Sequence, residues 1–250
     1  MNDDELLRYS RQIMLPDFDI AGQEKLLAAK VLIVGLGGLG SPVALYLAAA
    51  GVGELWLVDH DDVDLSNLQR QIAHRHVDIG RAKVASASDA IRAINPSARV
   101  NTIHEKLQGV LLDDAVRAVD LVVDCSDNFS TRFALNAACW KNKKPLISGA
   151  AIRSEGQLLV IDSRVENSPC YRCLYDDAVD DEQLSCAQNG VLAPIVGIIG
   201  TLQALETIKV LAQYGEPAIG KLQIFDGKAL EWRSLTLKKN QDCPVCGVSH

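Results

Sequence analysis

Two pairs of cysteines carry the sharpest chemical signal in the chain. Cys170 and Cys173 stand in "CYRC", and Cys243 and Cys246 in "CPVC". One C-x-x-C pair alone suits redox exchange. Two pairs, with 69 residues between them and no thioredoxin-like pattern around either, offer four thiolates, the donor set of a tetrahedral structural Zn²⁺. Four cysteines leave no open coordination position, so the expected role is mechanical. The metal would clip the C-terminal tail onto the residue-170 loop, a region with little core of its own. Cys125 and Cys139 lie among apolar neighbours and are expected to pack. Cys186, in "LSCAQNG", is open to two readings: a nucleophilic or sulfur-transfer thiol activated by a nearby cation, or a residue with no chemical role.

The second signal is "VLIVGLGGLG" (31–40), which sets Gly35, Gly37 and Gly40 in a G-x-G-x-x-G pattern between an apolar run and a helix. Gly35 permits the tight turn. Gly37 and Gly38 let backbone N–H groups approach a phosphate, and Gly40 lets the helix lie close to the sheet. Asp59 closes the next apolar run, 19 residues beyond Gly40, where an acid can bond ribose hydroxyls. These features indicate a nucleotide without separating NAD or FAD from ATP. "SNLQRQ" (66–71) then supplies Asn67 and Arg70, and Lys83 opens the following helix. Converging cations offset charge on a triphosphate, which hydride transfer does not require; scattered surface charge is the alternative. In "DCSDN" (124–128), Asp127 is either a Mg²⁺ ligand facing a triphosphate or the N-cap of the next helix. Asn128 or Ser126 can take the cap and leave Asp127 free.

These groups need a scaffold that gathers them. Short β-branched runs at 30–35, 53–61, 98–107, 120–128 and 144–152 alternate with helical segments at 41–50, 80–95, 111–119 and 129–143. That alternation predicts an α/β fold, a doubly wound, Rossmann-like, mainly parallel sheet. Strands at 156–162, 221–227 and 231–238 extend it with antiparallel pairs in the C-terminal half, the last two as a hairpin. Helices at 3–15 and 22–29 form an N-terminal arm. The expected plan is one domain over 1–250: the arm (1–29), a nucleotide-binding part (30–152) and a zinc-clipped part that binds the partner (153–250). The polar loop from Ser163 to Asn189, with its acidic stretch 176–183, is the expected flexible segment.

The formal net charge of −7 argues against nucleic acid as a partner. No signal peptide is visible at the N-terminus. The longest apolar window, Val191 to Leu205, carries a proline and two glycines and is short for a membrane span, so a buried helix or subunit contact is expected. A cytoplasmic protein follows as the simplest expectation.

Taken together, "RYSRQI", "VGLGGLG", "VDHDDVDLSNLQRQ", "DCSDN", "CYRC", "GTLQALE" and "CPVC" make the chain resemble the MoeB/ThiF adenylyltransferases, relatives of ubiquitin-activating enzymes, over almost its whole length. The resemblance implies a homodimer in which each subunit binds ATP and Mg²⁺. It implies a substrate that is a small ubiquitin-fold sulfur-carrier protein ending in Gly-Gly. The carrier carboxylate is adenylated with release of pyrophosphate, and a separate sulfur donor then makes the thiocarboxylate. Carried over, Gly38, Asp59, Ser66, Asn67, Leu68, Gln69, Arg70, Lys83, Asp127 and Asn128 contact ATP or its metal. Arg11 reaches the phosphates held by the neighbouring subunit, and Cys170, Cys173, Cys243 and Cys246 bind zinc. Arg11, Arg70, Lys83 and Asp127 are the expected catalytic set. "SGAAIRSEGQ" and "YGEPAIGK" resemble the molybdopterin-synthase branch, and "FDGKALEWRSL" the thiamine branch. No rhodanese domain is expected. The competing readings are a nicotinamide or flavin oxidoreductase, on the glycine pattern alone, and a carrier-binding scaffold without turnover.

Overall fold

The structure, a computed structural model, describes residues 1–175 and 189–247. Its centre is β1 (Lys30–Val34), where a lysine is followed by four fully apolar, buried residues. β1 pairs in parallel with β2 (Glu54–Val58) on one side and β4 (Leu121–Asp124) on the other. A strand flanked on both edges and covered on both faces needs continuous rather than alternating apolar sequence. β3 (Arg99–Ile103) continues in parallel beyond β2, and β5 (Leu146–Ile152) beyond β4. β6 (Glu155–Ile161), β7 (Lys221–Asp226) and β8 (Glu231–Thr236) then add in antiparallel fashion. The sheet order is β3-β2-β1-β4-β5-β6-β7-β8, the mixed sheet expected from the sequence.

Successive side chains of β1 point to opposite faces, and each face has its own apolar layer. Val31 and Ile33 pack with α2 (Asp19–Ala28), α3 (Gly40–Ala50), α4 (Lys83–Ile94) and α7 (Ala193–Ala212). Leu32 and Val34 pack with α5 (Gly109–Ala118), α6 (Phe129–Lys141) and the turn at Tyr171. α1 (Asp3–Ile13) starts with an Asn2–Glu5 capping box and lies against α2.

α7 is longer than the apolar window suggested, at 20 residues, and half of its most apolar stretch is buried. It carries buried Gln203, Glu206 and Thr207 and lies against α3, β5 and β6, so it is a core helix. Gln203 ties it to the sheet, its Nε2 donating to the carbonyls of Asp124 (2.7 Å) and Ile147 (3.2 Å).

The order of connections fixes where a ligand can sit. The chain runs outward from β1 through β2 to β3, then returns to β4 on the far side of β1. Loops leaving β1 and β4 therefore diverge at their carboxyl ends and open a crevice. Gly35 turns the chain at that edge with φ +90°, a left-handed value that favours glycine. A Cβ on Gly40 would lie 1.9 Å from the Gly35 carbonyl oxygen, so only glycine lets α3 start this close to the strand.

Candidate active site

A cavity of about 250 Å³ fills the crevice. The glycine loop forms one wall. Among the described residues, no protein acceptor takes the N–H groups of Gly37, Gly38 or Leu39, at the positive end of α3. That is the arrangement an anion uses.

Asp59, Arg70, Lys83, Asp127 and Asn128 line the same cavity as Gly38. Lys83 is the first residue of α4, and its ammonium is almost wholly buried. Nζ donates to Asp61 Oδ2 at 2.7 Å. Burial works against the Asp61 charge, but the Lys83 ammonium wins and holds its carboxyl below the ordinary range. Arg70 is half-buried, and its Nη1 donates to the Ser66 carbonyl at 3.1 Å. Asn128 takes the N-cap of α6, its Oδ1 accepting from the Thr131 N–H at 2.9 Å. This answers the question left open by "DCSDN": Asp127 is not the cap. Its carboxylate is exposed, with Asn128 Nδ2 at 3.3 Å.

Other expected contacts are arranged differently. Asp59 is buried, and both its oxygens are engaged. Oδ2 accepts from the Leu36 N–H (2.7 Å) and Oδ1 from the Asp61 N–H (2.9 Å). It braces the glycine loop as well as facing the cavity. Ser66 lies in a short 3₁₀ turn, Leu65–Asn67, that engages its hydroxyl and the Asn67 Oδ1. Ser66 Oγ donates to Asp64 Oδ1 (2.6 Å), and Asn67 Oδ1 accepts from the Asp64 N–H (3.2 Å). Ser66, Asn67, Leu68 and Gln69 do not line the cavity. Arg11 is exposed on α1 and does not line it either.

The sequence reading missed several groups. Besides Asp61, Gln71 lies buried in the wall with its Oε1 unpartnered. His74 bridges the glycine loop and α4, with Nε2 3.0 Å from the Leu36 carbonyl and Nδ1 2.9 Å from Ser86 Oγ. Burial pushes its pKa below the ordinary 6.5. Tyr171, Tyr175 and the small side chains of Ala150 and Ala151 on β5 also line the cavity. Only "QRQ" and "HRH" hinted at any of these, by supplying polar side chains between two expected elements.

The cysteine knuckles meet. The sulfurs of Cys170, Cys173, Cys243 and Cys246 all lie within 4.8 Å of one another, and no disulfide joins them. Cys170 and Cys243 sulfurs are 3.6 Å apart and those of Cys173 and Cys246 3.2 Å. A zinc tetrathiolate with bonds of about 2.3 Å has edges of about 3.8 Å, so the donor set fits that ion. Burial opposes ionisation of Cys243, but N–H donors of Cys246 and Val245 bring its thiol down to about 7. Cys125 and Cys139 are buried, and burial pushes both thiols up. Cys186 and the acidic stretch 176–183 lie outside the described residues.

Comparisons with known proteins match this geometry. The ThiF family profile covers residues 9–245. The molybdopterin-synthase adenylyltransferase of Salmonella typhimurium is 49% identical over 99% of this chain and 98% of its own. The sulfur carrier protein ThiS adenylyltransferase of Escherichia coli is 50% identical over 100% of this chain and 98% of its own. Among solved structures, E. coli MccB superposes with TM-score 0.84 at 24% identity, over 97% of this chain and 72% of that one. By its motifs, its sheet order and the family match along nearly its whole length, the chain belongs to the ThiF family and is an ATP-dependent adenylyltransferase.

Proposed function

We propose that this protein adenylates the C-terminal Gly-Gly carboxylate of a ubiquitin-fold sulfur-carrier protein serving molybdopterin synthase, releasing pyrophosphate. The observation that carries the reading is the convergence of Lys83, Arg70, Asp127 and the free N–H groups of the glycine loop on one cavity. The attacking carboxylate is already ionised at neutral pH, so no general base is required. The reaction needs alignment of carboxylate and α-phosphate, and positive charge to offset what builds up on the transferring group. Gly37 and Gly38 hold phosphate oxygens. Lys83 and Arg70 stabilise the developing charge, with Lys83 turning from Asp61 to the nucleotide. Asp127 holds the Mg²⁺ that arrives with ATP. The carrier tail enters past Ala150, Ala151 and Tyr175, which line the same cavity.

Zinc at the four cysteines supplies structure, not chemistry, by fastening residues 243–246 to the Tyr171 turn. The whole chain acts as one unit on this reading, which one continuous eight-stranded sheet supports. It works as a cytoplasmic homodimer in which Arg11 reaches the partner's cavity. Exposed Leu7, Met14, Tyr46 and Leu205 on the helical face support such pairing. A separate protein donates the sulfur.

A second reading keeps the chemistry and changes the carrier. The 50% identity to the ThiS adenylyltransferase favours a thiamine-type carrier as much as the 49% favours the molybdopterin type. ATP–pyrophosphate exchange run side by side with both carriers tests them. Exchange with the molybdopterin-type carrier, abolished when its Gly-Gly end is removed, is the expected result. Exchange with the thiamine-type carrier alone moves the assignment to the second reading. Binding of either carrier without exchange refutes adenylation and leaves a scaffold.

A further inference from the structure

Beneath Asp127 lies a buried cation that the adenylation reading leaves without a task. Arg132 sits on α6, one turn after the N-cap Asn128, and is 6% exposed. Nη1 donates to Ser148 Oγ at 3.1 Å and lies 3.5 Å from Asp124 Oδ2. Nη2 donates to the Ser126 carbonyl. Tyr171 lies beside the same guanidinium. Asp124 completes the frame. Its Oδ1 accepts from the Ser126 N–H (3.0 Å) and Ser126 Oγ (2.6 Å), and its Oδ2 from Ser148 Oγ (2.8 Å).

Ser126 is therefore held at its amide, its hydroxyl and its carbonyl by one buried ion pair. The next residue is Asp127, whose own carboxylate has only the long contact to Asn128. Its position is set through its backbone, and that backbone is set by Arg132 and Asp124. A buried ion pair is weak evidence of a role in stability, because apolar side chains of similar size commonly serve as well. A planar fork that grips a carbonyl, a hydroxyl and a carboxylate at once does something apolar packing cannot: it fixes a turn.

We propose that Arg132 is a positioning residue that sets the Asp127 carboxylate for Mg²⁺ bound with ATP. The proposal rests on the reading of Asp127 as the metal-holding group. Mg²⁺ demands near-ideal octahedral geometry with bonds of about 2.0–2.1 Å, so a displaced ligand loses most of its contribution. Lysine keeps the charge and loses the fork, which makes Arg132→Lys the discriminating substitution.

The experiment measures ATP affinity by calorimetry on the full-length protein, with Mg²⁺ and with EDTA, for wild type, R132K, D127N and the double variant. It needs no carrier, so it stands apart from the exchange assay that tests the carrier reading. Wild type and D127N first show whether Asp127 contributes to the Mg²⁺ enhancement of binding; if D127N leaves it unchanged, both the metal role and this proposal fall. The expected result for R132K is a loss of about tenfold or more in the Mg²⁺ enhancement, with affinity in EDTA within about threefold of wild type. Adding R132K to D127N then lowers the enhancement by less than about twofold. A merely structural role predicts that both affinities fall together, and an independent role predicts that the two losses multiply; either result overturns the proposal. Should R132K not fold, S148A removes one partner of the fork and is expected to shift the enhancement in the same direction by a smaller factor, with no shift overturning the proposal.

Discussion

Replacing the glycines of the loop one at a time separates a phosphate cradle from a structural turn. A Cβ on Gly40 would meet the Gly35 oxygen at 1.9 Å and its carbonyl carbon at 2.9 Å. Both are backbone atoms, so β1, the turn and α3 must part by more than an ångström. Gly40→Ala is therefore expected to cost upward of about 3 kcal/mol and to fail in folding before it fails in binding. Gly37 is different. Its backbone is outside the left-handed region, and a Cβ there would find its nearest neighbour, Gln71 Nε2, at 3.6 Å, an ordinary contact. Gly37→Ala should gain about 0.4–1 kcal/mol by narrowing the unfolded ensemble. That corresponds to a melting temperature about 1–4 °C above wild type.

Yet Gly37 lines the cavity, and its N–H has no protein acceptor among the described residues. A methyl group on that surface holds a phosphate oxygen out of hydrogen-bonding reach of the loop. One charge-assisted hydrogen bond is worth about 1.5–3 kcal/mol, so ATP affinity should fall by about 10- to 150-fold. Calorimetric titration with ATP and a thermal melt on the same preparation read both quantities. Wild-type ATP affinity in a well-folded Gly37→Ala protein would refute the cradle. A large fall in melting temperature would refute the packing argument instead.

Further outcomes follow from the same geometry. Lys83→Met should lower ATP–pyrophosphate exchange by about 100-fold or more while the fold survives, because its partner Asp61 is half exposed and regains water; wild-type exchange would remove the role given to Lys83. Arg70→Ala and Asp127→Ala should each abolish exchange without unfolding, as checked by circular dichroism. Metal analysis should find about one zinc per chain. Cys243→Ser should release that zinc and lower the melting temperature by about 5–15 °C, the effect of losing a long-range cross-link. His74 gives a pH signature. Burial lowers its pKa from 6.5, so at pH values between the folded pKa and 6.5 the unfolded chain holds a proton the folded one lacks. Stability is full above 6.5 and declines as the pH falls through that window, with Asp59, Asp78 and Lys83 the charged groups around the ring. Asp78, held down to about 2, loses its contribution only below 3.8. Between pH 7 and 5 the histidine acts alongside the zinc thiolates, so the part of the slope that His74→Gln removes is the histidine's.

What the sequence disclosed about this site depends on how far apart the interacting residues stand. A residue just past a buried parallel strand must emerge at the crevice, so Gly38, Asp59 and Asp127 were placed by the strands before them, and Lys83 by the helix it opens. The four cysteines were legible across 73 residues because few arrangements other than a tetrathiolate explain two such pairs. Where the chemistry leaves more choices, distance hides the partner. Nothing near Gln203 announces that its amide closes on the Asp124 carbonyl 79 positions away, and nothing near Arg132 announces Ser148. The "SNLQRQ" stretch shows a different competition. Ser66 and Asn67 have the side chains that bind ligands, but the same hydroxyl and amide satisfy a local turn through Asp64 at lower entropic cost. Composition names candidates for a site, and competition from local backbone decides which are free to serve. Asp127 is free because Asn128 took the cap, and its carboxylate is aimed by Arg132, Asp124 and Ser148, all of them buried.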